Sequence, residues 1–261
     1  MRNNSISKKR QQQILQRLQE SGKVNVNDLS QDFDVSPITI RRDLDVLGDE
    51  GLLERVHGGA MAKRRQPNEL LFSEKDHTNT HEKDAIGRAA AQMLQDGDTV
   101  LLNGGSTTLQ VIKHLSGKKV RVITNNAAAI GVDRDPLVEL IVVGGEHRGT
   151  SHSLVGELAI LSLSQVYGTC AMLGTNGIDA QFGLTSSVYQ ETGINRVMIE
   201  RSRGPVIVLA DHTKIGVVSN FKTTSIEQID TLITDARSDP NIIHGLEQTG
   251  VRVIIAQNGR E

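Results

Sequence analysis

The sequence has no tryptophan, two tyrosines and four phenylalanines in 261 residues. A core with so little aromatic area has to be aliphatic, and its Val/Ile-rich runs suit buried parallel strands. Cysteine occurs once, at Cys170, which excludes an internal disulfide and points to a reducing, cytoplasmic setting. Its surroundings, Tyr167 to Leu173, read as a buried strand, so the thiol is expected to fill core. No run approaches the ~18 consecutive apolar residues a membrane-spanning helix needs, so no membrane partner is expected. The start, Met1 to Arg10, is polar and basic with no apolar stretch behind it, so no signal peptide is expected either. The eight histidines are scattered and none pairs with Cys at zinc spacing. His77 and His81 lie four apart in a polar stretch without further ligands, so neither a metal nor a cofactor is expected.

What the chain does have is enough apolar residue for a packed fold: 37% hydrophobic and 23% charged. Its net charge of -2 conceals an asymmetry. Residues 1–66 carry a net +3 and the remainder a net -5, a pattern that accompanies a nucleic-acid-binding segment. The chain also changes character along its length. Residues 8–61 hold short helical patterns ending in a Gly-Gly, 62–82 are polar and irregular, and 83–256 alternate helices with apolar strand runs.

In the first region, Ile14, Leu15 and Leu18 make one apolar stripe on a Gln-rich helix that Ser21-Gly22 ends. Val24 and Val26 alternate as in a short strand, and Asn27 is the expected N-cap of a second helix carrying Leu29 and Phe33. The third helix starts most clearly, with Ser36 at the N-cap and Pro37 at the first helical position. Ile40, Leu44 and Leu47 face the core, which leaves Ile38, Thr39, Arg41 and Arg42 toward solvent. Gly51 is expected to stop this helix, and Leu52 to Ala60 reads as a hairpin. Three helices and a hairpin are the order of a winged helix-turn-helix, with the two arginines placed for phosphate or guanine contacts. A small structural bundle with solvated arginines is the alternative on periodicity alone.

These residues resemble the DeoR family of bacterial repressors. The similarity runs from Arg10, Ile14 and Leu18 through Ser36-Pro37-Ile38-Thr39-Ile40-Arg41-Arg42-Asp43-Leu44 and closes with Arg55-Val56-His57-Gly58-Gly59-Ala60. It implies operator DNA as partner, with contacts from Ser36, Pro37, Ile38, Thr39, Arg41, Arg42, Arg55, His57, Gly58 and Gly59. One departure is Gly48, where the family usually has a good helix former. At a cost of about 1 kcal/mol relative to Ala, it is expected to end the third helix early. The resemblance continues over nearly the whole chain and implies a sensor domain similar in fold to ribose-5-phosphate isomerase and CoA-transferase proteins. The expected architecture is therefore α/β: a winged helix-turn-helix over 6–61, a linker over 62–82, and a larger domain with a mostly parallel sheet over 83–256.

In that larger region each apolar run leads into a polar loop. Thr99 to Leu102 runs into Asn103-Gly104-Gly105-Ser106-Thr107-Thr108 and a helix marked by Leu109, Ile112 and Leu115. A strand, a glycine turn, hydroxyls and a helix start make an anion cradle. Further runs lead to Thr124-Asn125-Asn126, Gly144-Gly145-Glu146-His147-Arg148, Gly174-Thr175-Asn176-Gly177-Ile178-Asp179 and Asp211-His212-Thr213-Lys214. Ligands of open parallel sheets bind beyond the carboxyl ends of the strands. Loops rich in Gly, Asn, Thr, Arg and Lys there suit a small polyhydroxylated anion. The resemblance implies that 103–108, 124–125, 144–148, 174–179 and Lys214 surround a phosphorylated sugar. Arg148 and Lys214 are the candidates for pairing with phosphate, and Glu191 for a sugar hydroxyl. Asn103 stands where the family commonly has aspartate.

An isomerase-like enzyme fused to a DNA-binding module is the alternative of another class. The isomerases carry an acid-rich Asp-Gly-Ala-Asp-Glu loop and a Lys-Gly-Gly-Gly-Gly loop. Here the corresponding stretches read Leu173-Gly174-Thr175-Asn176-Gly177 and Leu184-Thr185-Ser186-Ser187-Val188, without those acids or that lysine. The expectation is a repressor of a carbohydrate operon with no enzymatic activity, released from DNA by its effector; an activator is the further alternative. Helix-turn-helix proteins commonly bind paired half-sites, so a homo-oligomer, dimer or tetramer, is expected.

Overall fold

The computed structural model describes residues 2–49, 53–56, 58–62 and 71–257. The expectations placed on Gly51, Leu52, His57 and the part of the irregular stretch over residues 63–70 lie outside the described residues. The chain divides into two compact units, Met1–Arg65 and Gln66–Glu261.

The first unit runs α1 (Arg2–Ser21), β1 (Lys23–Asn25), α2 (Val26–Asp32), α3 (Pro37–Asp49), β2 (Leu53–Val56) and β3 (Gly59–Ala62). The strands pair antiparallel in the order β1-β3-β2, which makes the hairpin a wing closed on the strand that precedes α2. Ile14, Leu18, Leu29, Ile40, Leu44 and Leu47 bury together with Leu53 and Ala60, the stripe expected from their spacing. Gly59 sits where any Cβ would strike the backbone of Val24, so only glycine lets β3 approach β1. Three expectations are corrected. The N-cap of α2 is Asn25, whose side chain accepts from the Asn27 N–H at 2.8 Å. Val26 is buried as the first residue of α2, a position its alternation with Val24 left indistinguishable from strand. Nor does Gly48 end α3, which continues to Asp49 with Gly48 against the stem of Arg55.

The second unit opens with α4 (Phe72–His77) and α5 (Thr80–Met93), so the stretch expected to be irregular up to residue 82 holds a helix and the first turn of another. Then follow β4 (Thr99–Leu102), α6 (Ser106–Lys113), β5 (Arg121–Thr124), β6 (Glu139–Val142), β7 (Glu146–Arg148), β8 (Ser153–Val155), α7 (Glu157–Ser164) and β9 (Cys170–Gly174). The chain goes on through β10 (Gly177–Asp179), β11 (Gly183–Ser186), α8 (Tyr189–Arg201), β12 (Val206–Leu209), β13 (Phe221–Thr224), β14 (Thr231–Asp235), α9 (Pro240–Gln248) and β15 (Arg252–Ala256).

Seven of these strands form one parallel sheet in the order β15-β14-β12-β9-β4-β5-β6. Side chains alternate across it. Val100, Leu102, Met172, Ile207 and Leu209 bury on one side with α5 and α6, while Leu101, Ala171, Leu173, Val206 and Val208 bury on the other with residues of α7, α8 and α9. Helices on both faces explain why the strands read as continuous apolar runs. The chain winds outward from β4 through β5 to β6, then returns to lay β9 on the other side of β4. The reversal point of the sheet therefore lies between β4 and β9.

Several loops expected at the strand ends are themselves structured. β7 and β8 make an antiparallel hairpin that takes in Glu146 to Arg148. β10, β11 and β13 form a small antiparallel sheet that takes in Gly177 to Asp179 and Leu184 to Ser186. At three or four residues each, they carry too little alternation to be seen as strands.

Candidate functional site

In the first unit, Ser36 caps α3 as expected. Its Oγ accepts from the Thr39 N–H at 3.3 Å and lies 2.9 Å from the Thr39 hydroxyl. Pro37, Ile38, Arg41 and Arg42 are exposed, Ile38 at 75%. The guanidiniums of Arg41 and Arg42 hold no ion pair or hydrogen bond among the described residues. Arg55 is placed differently. Its Nε donates to Asp45 Oδ1 at 2.9 Å and its Nη1 to the Gly59 carbonyl, so it ties the wing to α3. Asp43, inside the resembling segment but given no role from sequence, is buried and accepts from Arg10 Nε at 2.5 Å and Gln11 Nε2 at 3.1 Å. That lock between α1 and α3 fixes the angle at which the exposed face of α3 is presented. Gly58 turns the hairpin with φ +80°.

In the second unit most of the candidate residues gather near the reversal point, where ligand crevices of doubly wound sheets form. Asn103 bridges the carboxyl ends of β4 and β9. Its Oδ1 accepts from the Gly174 N–H at 2.8 Å, and its Nδ2 donates to the Gly174 carbonyl and to Asn195 Oδ1, both at 2.9 Å. Both amide hydrogens are thus engaged, as only an amide and not a carboxylate allows. Thr108 is fully buried and donates to the carbonyls of Asn103 and Gly105. Asn125 Oδ1 accepts from the Gly104 N–H at 2.8 Å while its Nδ2 reaches the Leu154 carbonyl. Asn126, unassigned from sequence, holds the Gly105 carbonyl at 3.0 Å. Thr124, Ser106 and Thr107 are buried beside them, at the end of β5 and in the first turn of α6.

The β7–β8 hairpin reaches this loop. A Cβ on Gly104 would lie 2.9 Å from the Ser153 Cβ, so the glycine admits the hairpin. Ser153 donates to Glu191 Oε1 at 3.3 Å and shares a 2.7 Å hydrogen bond with Ser151. Arg148 Nη1 donates to Ser151 Oγ at 3.2 Å and lies 3.9 Å from Glu191 Oε1. Arg148 and Glu191, 43 positions apart in sequence, are therefore neighbours. Gly144 and Gly145 connect β6 to this hairpin, Gly145 packing against Val155. On the β9 side, Thr175 donates to the Gly177 and Thr185 carbonyls, and Asn176 accepts from Ser186 Oγ and the Ser187 N–H. Ser187 keeps a buried hydroxyl with no partner among the described residues. Lys214 lies in the turn after β12, half-buried. Asp179 does not join the group: it caps the tip of the β10–β11 hairpin through the Gln181 and Phe182 N–H groups. Ser151, Ser153, Asn126 and Ser187 had no sequence signal beyond being polar next to strand ends, and Asn195, buried inside α8, had none. Cys170 is buried, and desolvation followed by the charge of Asp98 pushes its thiol up to about 12, which leaves it chemically inert. No helix among the described residues is long and apolar enough to cross a membrane.

Residues 10–66 match the DeoR-like helix-turn-helix domain, and residues 78–236 match the DeoR C terminal sensor domain. The chain is 32% identical to the HTH-type transcriptional regulator GolR of Listeria innocua, across 95% of this chain and 98% of that one. It is 33% identical to the glycerol-3-phosphate regulon repressor of Escherichia coli, across 85% and 88%. With the lactose phosphotransferase system repressor of Lactococcus lactis it shares 31% identity, across 92% and 96%. Ribose 5-phosphate isomerase A of Neisseria gonorrhoeae aligns over 52% of this chain and 54% of its own at 14% identity and a TM-score of 0.36, too slight a likeness to carry an argument. With both domains matched and relatives aligned along nearly its whole length, this chain belongs to the DeoR family of helix-turn-helix transcriptional regulators.

Proposed function

We propose that the protein represses a carbohydrate transport or catabolism operon and leaves its operator when a phosphorylated sugar binds the second unit. The observation that carries the DNA half is the exposed, unpaired Arg41 and Arg42 on a helix whose other face is locked into a core. Such a face fits the major groove, with phosphate and guanine contacts from the arginines, and Ile38 beside them for a thymine methyl. The effector half is supported by the crevice at the β4/β9 reversal. Its backbone is held open by buried amides, α6 begins there, and Arg148 and Lys214 supply cations from different loops. The names of relatives, a glycerol-3-phosphate regulon repressor and a lactose phosphotransferase system repressor, support repression over activation and a phosphorylated carbohydrate as the signal. Residues 6–61, 62–82 and 83–256 are proposed as DNA-binding domain, connecting segment and sensor, with α4 of the connecting segment packed on the sensor, and the working species as a dimer or tetramer.

The test is fluorescence anisotropy on DNA from the gene's own upstream region, at fixed salt, with and without a panel of sugar phosphates. Salt is fixed because phosphate contacts make affinity steeply dependent on ionic strength. Specific binding relieved by one sugar phosphate is the expected result. Specific binding that no sugar phosphate alters removes the effector half, and tighter binding with the ligand makes that ligand a corepressor. Sedimentation that finds only monomer at micromolar concentration removes the oligomer. An isomerase reading has no site of its own: neither Leu173 to Gly177 nor Leu184 to Val188 brings a base or a lysine to the crevice.

A further inference from the structure

Lys83 is the one lysine among the described residues that is fully buried, at 5% exposure. Lysine is almost never placed so deep without partners. Its Nζ donates to the carbonyls of Lys75 and Thr78, the latter at 2.6 Å. Those carbonyls belong to the last turn of α4 and the residue that caps it, where the Thr78 N–H closes on Lys75. A cation there gives these last-turn carbonyls a charged donor and meets the negative end of the helix dipole. Desolvation holds the Lys83 ammonium below the usual lysine range; the Asp211 carboxylate opposes that shift and Lys214 adds to it. Both of these neighbours lie in the turn after β12 that carries the candidate phosphate cation.

A second set of contacts sews the same corner together. Glu82, next to Lys83, pairs with Arg237 Nη1 at 3.0 Å. The Arg237 N–H donates to Asp235 Oδ1 at 2.9 Å, and Asp235 Oδ2 accepts from the His212 N–H at 2.7 Å. The first turn of α5 is thereby fixed to the 211–214 turn. The other end of α4 rests on the β7–β8 connection: the Phe72 N–H donates to the Thr150 carbonyl at 2.8 Å, and its ring lies 5.0 Å from that of His152. So α4, the first described element after the connector from the DNA-binding unit, runs from the hairpin of Arg148 to the turn of Lys214.

We propose that Lys83 is a positioning residue that clasps α4 to the ligand crevice and so couples crevice occupancy to operator release. The inference rests on the crevice being the effector site. An anion on Lys214 offsets the repulsion between Lys214 and Lys83, strengthens the clasp, and firms the segment that leads to the DNA-binding unit. Lys83 itself touches carbonyls and not the ligand, so its loss should uncouple the two units' activities without emptying the crevice.

Two measurements on the full chain test this. Hydrogen exchange over residues 71–79, without ligand, should be about tenfold faster in Lys83→Met than in wild type and restored in Lys83→Arg, which keeps the donors. Exchange unchanged in Lys83→Met overturns the clasp, whatever the crevice binds. Calorimetry and operator anisotropy with glucose 6-phosphate, fructose 6-phosphate and glycerol 3-phosphate give the second arm. Lys83→Met should bind the active probe within about threefold of wild type, yet the release that probe causes should shrink about tenfold, the size of a typical coupling loss. Full release in Lys83→Met, or loss of probe binding together with release, overturns the proposal. A wild type that binds none of the probes sinks the effector reading and the coupling with it, while the exchange result still decides the clasp. If Lys83→Met fails to fold, Phe72→Ala, which loosens α4 from its other end, is held to the same two outcomes.

Discussion

The two units treat their polar groups in opposite ways. On the first, Arg41 and Arg42 stand exposed without partners among the described residues, while the groups that hold the helices and the wing, Arg10 with Asp43 and Arg55 with Asp45, are paired. In the second, most side-chain amides around the crevice are already spent: Asn103, Asn125, Asn126 and Asn176 all bond the backbone or one another's loops. On the proposed function, a surface for a long polyanion can leave its cations in water, since contact releases the polyanion's own counterions. On the same proposal, a crevice for a small ligand has to be shaped in advance, because the ligand brings too little binding energy to order it. Side-chain amides therefore build the walls, and on the proposed function glycine backbone, Lys214 and Arg148, the last already held by Ser151 beside Glu191, would meet what enters.

The contrast is sharpest where a single change should damage one unit alone. Asn103→Leu removes three hydrogen bonds and strands the Gly174 peptide groups and Asn195 in the interior, at a cost of about 3 kcal/mol or more. Urea unfolding should show it, with faster hydrogen exchange confined to residues 71–257. Gly59→Ala should cost about 2 to 4 kcal/mol by forcing β3 off β1, with loosened exchange confined to the wing and DNA affinity lost. Damage spread evenly over both units by either change would contradict their independence.

Next in size are changes to the exposed groups. Arg42→Ala should weaken operator binding about tenfold and lower the slope of log affinity against log salt by about 1, measured by anisotropy over a salt series. An unchanged slope would remove Arg42 from the phosphate contacts. Lys214→Ala should raise the sugar phosphate concentration needed for half release by about tenfold or more, as expected for loss of a charge-assisted bond. The smallest effect is on acid stability. The Glu82 carboxyl is held below its ordinary value by its own backbone N–H and by Arg237. Burial raises that of Asp84, but His114 and Arg88 outweigh it and hold this carboxyl low as well. Groups lowered in the folded state add stability above their unfolded values, and that stability is lost as pH falls through the folded ones. The second unit should therefore loosen at α5 as pH drops below about 4.5, the ordinary carboxylate range. Glu82→Gln should flatten part of that dependence in a pH series of unfolding midpoints.

Sequence determined what depends on local order. The spacing of Ile40, Leu44 and Leu47, the Ser36-Pro37 start of α3 and the apolar runs before the polar loops each state a periodicity or a cap, and each recurs in the structure at the same place. The glycine and asparagine loops were legible as strand ends for the same reason. What only the tertiary structure decided is which groups are already spoken for. Arg55 and Asn103 look like free donors in sequence, yet one ties the wing to α3 and the other ties β4 to β9. Arg148 and Glu191 become neighbours, Asp179 is left at a hairpin tip, and Lys83 closes a helix that sequence showed as connector. A side chain's chemistry is written in the chain; its partners are set by packing between segments tens of residues apart, and a hydrogen bond once made is withdrawn from the ligand.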